Sequence, residues 1–371
     1  MKKIILTLTI CLLTCVRVQG AEDEPDISDY DFSDIDRELS ESGNEEFDFE
    51  DTVRKLISGD TEEGLNDIGT VLIDAVTAEI AAEKEVLVRI LVIGMIAALF
   101  VNISGAVLSG KISETGFYIT YMMLISALTA GYAIIADMVR ETLTNLTSLM
   151  DAITPVYILS IGFSTGQTSA AAFYRVIVMI ISLVEKILTG VVLPLIYIYM
   201  IVNIINNLAD GKMLTRASEL IKTVIEWMLK ALMSFVIGIN VIQSLISPIV
   251  DSIKTGTFGK VLSAIPGIGG ALNSVSGIVL ASGTLIKNAI GMASMIAIIV
   301  ICFIPVIKTV IVSIAYKAVG AVLEPISDKR IVGCINGIYQ SMVLLMKTLL
   351  YALVFFVLTI AIICSSTNTG T

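Results

Sequence analysis

From residue 88 onward the chain is a series of long apolar runs separated by short polar ones. About 20 apolar residues cross a hydrocarbon core. Val88–Leu108 and Phe117–Ala136 reach that length, and Val176–Leu208 exceeds it. Val224–Val250, Ile290–Val312 and Leu349–Cys364 follow. The pattern predicts an all-α, polytopic membrane protein with about six spans plus interfacial and broken membrane segments. Asp137–Ile153 reads as an interfacial helix, because Val139, Leu143, Leu146, Met150 and Ile153 fall on one face. Ser313–Leu323 and Ile331–Leu345 read as amphipathic. Pro155–Phe173 and residues 251–289 enter the membrane or pack in it without a clear crossing.

The N-terminal part reads differently. Residues 1–20 fit a secretory signal: Lys2 and Lys3, then apolar Ile4 to Val16, then Val18-Gln19-Gly20. An uncleaved anchor is the rival reading. Residues 21–60 form an acidic extracytoplasmic segment whose like charge and low apolar content predict disorder. Residues 61–87 predict an extracytoplasmic helix, with Leu65, Ile68, Leu72, Val76 and Ile80 at helical spacing. Residues 88–371 make up the multispan domain.

IPGIGGALNSVSGIVLASG (Ile265–Gly283) is too apolar for a surface loop and too rich in Gly and Ser for a soluble helix. Ser263, Gly267 and Ala271 form one i, i+4 row; Gly269, Gly277 and Ala281 lie on another. Small side chains let backbones approach closely in lipid. The rows therefore suit packing within the chain or against another copy of it. A hairpin outside the membrane remains the plainer alternative. Pro266 and the glycines predict a break in regular helix.

Charge is divided along the chain. Residues 21–85 hold 23 Asp/Glu against 4 Lys/Arg, although the whole chain is only −10. On the six-span reading, Lys111, Lys212, Arg216, Lys222, Lys317, Lys329, Arg330 and Lys347 lie inside. Arg140, Arg175, Lys254, Lys260 and Lys287 lie outside, a bias that fits the positive-inside rule. Within the spans, Glu226 and Lys230 are spaced i, i+4 with the acid first, which predicts an intramembrane pair. Asn203, Asn206, Asn207, Asn240 and Gln243 are candidates for bonds between helices.

Composition narrows the function. The chain is 56% apolar with a mean hydropathy of +0.89, so lipid is its main solvent. No basic patch points to nucleic acid. There is no His, and Cys11, Cys15, Cys302, Cys334 and Cys364 make no C-x-x-C, so neither a metal site nor a disulfide framework is expected. No nucleophile with a His partner, Walker motif or H-E-x-x-H occurs. The expectation is no enzyme and no cofactor. A weak repeat remains: a span, a small-residue segment, a Pro-bearing span (Pro194, then Pro305) and a basic stretch recur in order. Such a duplication points to a self-sufficient secondary transporter of a small solute.

Six strings in order carry a resemblance: SETGFYITY (Ser113–Tyr121), TSAAAF (Thr168–Phe173), VVLPLI (Val191–Ile196), IPGIGGAL (Ile265–Leu272), LIKNAIG (Leu285–Gly291) and EPISDKRIV (Glu324–Val332). From about Val86 to its end the chain resembles the stage III sporulation protein AE family. The resemblance implies a multi-pass protein of the mother-cell membrane around the forespore, part of a channel or secretion-like complex needed for endospore development. The partners it implies are other stage III sporulation A proteins, including a cytoplasmic ATPase, and stage II sporulation protein Q on the forespore side. It supplies no catalytic residues.

Overall fold

The computed structural model describes residues 27–28, 30–44, 47–58, 110–165, 178–208, 213–262 and 269–366, with scattered positions between 77 and 99. Within these, side chains at 110–114, 116–117, 120, 163–165, 239–262, 269–281, 362–363 and 365–366 fall outside the description. Every described element is helical. They are α1 (Ser33–Glu41), α2 (Phe49–Ser58), α3 (Gly110–Thr165), α4 (Val178–Leu208), α5 (Thr215–Leu262), α6 (Gly269–Leu323) and α7 (Lys329–Ser366). Four stretches among the described residues are long and apolar enough to cross a membrane: Tyr121–Gly162, Val178–Leu208, Ser282–Leu323 and Lys329–Ala361. The chain is thus an all-α membrane protein. Of the other expected spans, Val88–Leu108 lies mostly outside the described residues. Val224–Val250 falls in α5, with side chains described only to Gly238.

Long-range contacts fix the helix directions. The Tyr316 hydroxyl of α6 donates to Leu128 O of α3 at 2.9 Å, while Gly291 of α6 lies against Tyr157 of α3. These two helices are antiparallel. Cys364 Sγ reaches Asn288 Oδ1 at 3.3 Å, and Gly320 lies beside Ile335, so α7 also runs antiparallel to α6. The Tyr121 hydroxyl donates to Ile204 O at 3.2 Å, and the Tyr132 and Tyr197 rings meet edge to face at 5.4 Å, which orients α4. One end of the bundle, here the lower end, therefore gathers the α4–α5 connection and the α6–α7 turn. In that turn Asp328 Oδ1 accepts from Arg330 N at 2.8 Å, the N-cap bond that starts α7. The central element is α7, without an exposed side chain among the described positions from Gly337 to Cys364.

The helices are longer and less broken than the sequence suggested. α3 runs unbroken for 56 residues, about 84 Å at 1.5 Å per residue. It takes in both Phe117–Ala136 and the expected interfacial helix Asp137–Ile153. The stripe Val139, Leu143, Leu146, Met150 and Ile153 is buried, but it faces protein within the bundle core. Pro155 sits inside α3. It frees the carbonyl of Asp151, and both residues are exposed. Pro194 and Pro305, in the Pro-bearing spans of the repeat, do not separate helices either. α4 passes Pro194 through a π-helical turn at Leu188–Val192, where Leu193 N bonds to Leu188 O. The wider turn makes room for a ring that would otherwise meet the carbonyl four residues back. α6 carries Pro305 inside its 55 residues and absorbs both 269–289 and Ser313–Leu323. Ile331–Leu345 and Leu349–Cys364 likewise merge into α7. The Pro-broken spans that supported a transporter-like duplication are continuous.

Burial of polar groups has a local solution. Ser294, Ser313, Ser341, Thr348 and Thr359 are buried, and each hydroxyl donates to the carbonyl four residues earlier at 2.6–3.0 Å. Back-bonding satisfies these donors inside their own helix, so they need no partner across the interface. Lys287 and Lys347, placed in loops by the sequence reading, lie within α6 and α7, and Lys287 is fully buried.

The acidic segment is the largest departure. Where disorder was expected for 21–60, the described residues build α1 and α2. Gly43, at φ +78°, ends α1: its N–H bonds to Ser40 O and Asn44 N to Leu39 O, both at 3.0 Å. Asp48 caps α2 through Asp51 N at 2.8 Å. Ile35, Leu39, Phe49 and Val53 have no exposed surface, and α1 packs on α3 while α2 packs on α6. Each fully buried side chain of this size favours docking by about 1.5–3 kcal/mol. That offsets the like charge, most of which stays exposed, with Asp36 half-buried.

The exposed side of α3 changes character along its length. From 118 to 134 it shows Tyr118, Ile119, Met122, Met123 and Ile134, with no charge among the described exposed side chains. From 137 to 155 it shows Asp137, Arg140, Glu141, Thr144, Asp151 and Pro155, and it turns apolar again at Leu159. Exposed apolar side chains stand at matching levels on α4 (Val191, Ile198, Ile201, Ile205), α5 (Leu220, Val224, Trp227, Phe235) and α6 (Ile304, Ile314, Val322). Each of these stretches covers roughly 21–27 Å, close to the thickness of a hydrocarbon core. They form one largely apolar belt around the lower half of the bundle, interrupted on α5 by exposed Lys230 and on α6 by exposed Lys317.

Candidate functional site

The last turns of α4, the first turns of α5 and the start of α7 meet at the lower end along a seam of amides. Close approach there depends on Gly333 and Gly337, spaced i, i+4 in the string GCING. A Cβ placed on Gly337 would lie 2.9 Å from Asn203 Cβ, and one on Gly333 would overlap Asn207 Oδ1. The small-xxx-small arrangement lets α4 lie directly on the backbone of α7. The sequence contains this signal, but it sits in Ile331–Leu345, a stretch read only as amphipathic.

Three of the amides singled out from sequence act in the seam, two of them between helices. Asn206 Nδ2 donates to Thr215 Oγ1 at 3.0 Å, and its Oδ1 accepts from Leu214 N at 2.8 Å, closing the α4–α5 connection. Asn203 Oδ1 accepts from Ser218 Oγ at 3.1 Å, and its Nδ2 bonds back to Tyr199 O. Asn207 Nδ2 bonds back to Asn203 O at 2.7 Å. Asn240 and Gln243 lie outside the described side chains. Between the three helices an open pocket of about 290 Å³ remains, lined by Asn203, Asn206, Asn207, Thr215, Gly333, Asn336, Gly337 and Gln340.

Charge enters from α5. Lys222 Nζ donates to Gln340 Oε1 at 3.2 Å. One turn on, Glu226 Oε1 accepts from Lys347 Nζ of α7 at 2.6 Å, and both side chains are about one third exposed. The expected Glu226–Lys230 attraction persists beside it only as a weaker, longer-range one. Lys230 is exposed and makes no ion pair among the described residues. Glu226 turns toward α7, where packing already places an ammonium and less water competes for it. A half-exposed pair of this kind contributes modestly, about 1 kcal/mol or less.

The expected small-residue rows lie elsewhere. Ser263 and Gly267 fall outside the described residues. Gly269, Ala271, Gly277 and Ala281 belong to the first turns of α6, where the backbone alone is described. Among the described residues, no group of His, Cys, Asp and Glu has an arrangement that would hold a metal, and Cys302, Cys334 and Cys364 are buried and form no disulfide. The arrangement holds helices together and offers a polar opening; it presents no nucleophile with a base.

Comparison with known proteins adds a family. Residues 47–367 match the family described as stage III sporulation protein AE. A protein of Bacillus subtilis (strain 168) named "Stage III sporulation protein AE" is 22% identical over 292 residues, covering 78% of this chain and 73% of its own. No solved structure matches.

Proposed function

Because the chain belongs to the stage III sporulation protein AE family and is a membrane protein of that sporulation stage, we propose that it is a non-catalytic membrane subunit of a channel or secretion-like complex between mother cell and forespore. On this reading it sits in the mother-cell membrane around the forespore. Its lower end, with Arg216, Lys222, Lys317, Lys329 and Arg330, faces the mother-cell cytoplasm, as the positive-inside rule favours. The segment 21–87 is extracytoplasmic. The partners are other stage III sporulation A proteins, among them a cytoplasmic ATPase, and stage II sporulation protein Q.

One observation supports this reading most. α3 leaves its apolar belt at Ile134 and continues as the same helix with a charged outer face to Asp151. A helix that projects from the membrane without a break offers a rigid, water-exposed surface on which partners assemble. A carrier complete in itself has no use for such an extension. The test is side-specific labelling in sporulating cells. Cys302, Cys334 and Cys364 are buried; with Cys11 and Cys15 replaced by Ser, Thr144→Cys and Ala217→Cys report cleanly. A membrane-impermeant thiol reagent reaches residue 144 from the intermembrane side, and residue 217 only after the mother-cell membrane is opened. Purification of the full chain then recovers other stage III sporulation A proteins. Labelling of both positions from the same side, or solute uptake by the purified protein alone in vesicles, refutes the proposal.

A further inference from the structure

The pocket between α4, α5 and α7 carries more polar capacity than helix packing uses. We propose that it binds the headgroup of an anionic phospholipid, with the Lys222 ammonium on the phosphate and the free amide groups of Gln340 and Asn336 on its oxygens. The proposal does not depend on which assembly the protein joins.

Position is the first argument. The apolar belt ends on α4 at Ile205 and begins on α5 at Leu220. The pocket residues Asn203, Asn207 and Thr215 lie where these two edges meet, at the depth where hydrocarbon gives way to headgroups. A lipid with its head in the pocket can run its chains along Ile201, Ile205, Leu220 and Val224, all exposed. The pocket is open to the surface, as a ligand arriving sideways from the bilayer requires.

Charge is the second. Lys222 is half-buried beside the pocket rather than in its lining, and it donates to the neutral oxygen of Gln340, which lines it. Among the described residues it makes no ion pair: Glu226, one turn on, is engaged by Lys347 and attracts Lys222 only at longer range. An ammonium held by a neutral amide keeps its demand for an anion. Around it, 213–221 and 317–330 carry Arg216, Lys317, Lys329 and Arg330 against Glu219, Glu324 and Asp328. Basic pockets between helices at the cytoplasmic face are suited to anionic headgroups.

Hydrogen bonding is the third. Because Gln340 accepts from Lys222 through its oxygen, its NH₂ remains available. Asn336 is exposed and makes no side-chain hydrogen bond among the described residues. Two amide donors beside one cation fit a phosphate ester that offers several acceptors.

The test uses the full chain purified in a neutral detergent and returned to phosphatidylglycerol or phosphatidylcholine, with retained lipid measured by native mass spectrometry. Phosphatidylglycerol is retained preferentially, and millimolar inorganic phosphate does not displace it. Lys222→Ala lowers its retention about tenfold, the effect of losing one charge-assisted bond, and Gln340→Leu lowers it less. Lys230→Ala, exposed on the same helix, leaves it unchanged. Equal retention of the two lipids by the unaltered protein overturns the proposal without any variant. So does unchanged retention in Lys222→Ala. Displacement by inorganic phosphate reassigns the pocket to soluble anions and overturns the lipid as occupant.

Discussion

Replacing Gly337 by Ala tests the closest helix contact in the seam. The new Cβ would stand 2.9 Å from Asn203 Cβ and 3.5 Å from its Cγ. Carbon atoms pack best at about 3.5–4.0 Å, so the helices must separate by about 0.6–1.1 Å. Rotation of Asn203 gives no relief, because its Cβ is fixed by the backbone. Overpacking of this kind costs about 1–3 kcal/mol. Ala in place of Gly returns about 1 kcal/mol of helix propensity, so Gly337→Ala nets a loss of about 0–2 kcal/mol. Gly320→Ala is the control. Its Cβ would meet Ile335 Cγ2 at 3.5 Å, an ordinary contact, so it keeps the propensity gain without the clash. The two variants should differ by about 1–3 kcal/mol, with Gly320→Ala the more stable. Thermal unfolding of the detergent-solubilised full chain, followed through Trp227 fluorescence, reads the order. Equal midpoints, or Gly320→Ala falling below Gly337→Ala, would refute the claim that backbone proximity holds α4 on α7.

Three further predictions follow from single contacts. Tyr316→Phe removes the bond to Leu128 O and should cost about 1 kcal/mol, whereas Tyr132→Phe should cost nothing or stabilise, because the buried Tyr132 hydroxyl has no hydrogen-bond partner among the described residues; the same unfolding assay decides, and an equal loss in both would contradict the geometry. In double-mutant cycles, Glu226 should couple to Lys347 more strongly than to Lys230, by up to about 1 kcal/mol; the reverse order would restore the pairing read from sequence. Asp36 is desolvated between α1 and α2, which raises its carboxyl above the ordinary 3.8 despite the bond from Phe49 N, and Asp48 and Glu50 add to the rise. Between the unfolded and folded values the docked state holds a proton that the undocked state has lost, so docking weakens as pH rises through that window and is level above it. Hydrogen exchange of 33–58 between about pH 4 and pH 7 should show this trend in the native chain and not in Asp36→Asn.

The sequence revealed faces more reliably than partners. The α3 stripe from Val139 to Ile153 was legible because a 3.6-residue period marks the side that leaves water. The period carries no information on whether that side meets lipid headgroups or another helix, and here it meets protein. The acidic segment failed for a related reason. Averaged composition hid Ile35 and Leu39, then Phe49, Val53 and Leu56, which recur at three and four and have almost no exposed surface. A few well-spaced apolar residues suffice when a large bundle supplies the other half of the interface. Glu226 was assigned to its neighbour in the chain, yet its partner is 121 residues away. Gly333 and Gly337 are legible in the sequence as a small-xxx-small pair, but the longer run of small residues at 263–281 is the stronger signal of the same kind.

The uninterrupted α3 also has a mechanical consequence. A stiff rod turns a small rotation at one end into a large displacement at the other. At a length of about 84 Å, a tilt of only about 5° carries the tip through about 7 Å, more than one helical turn. The helix continues through Pro155 without a break, so motion at one end is carried along it. Whatever pushes on the basic end therefore moves the acidic end too, and the chain behaves as a lever across the bilayer.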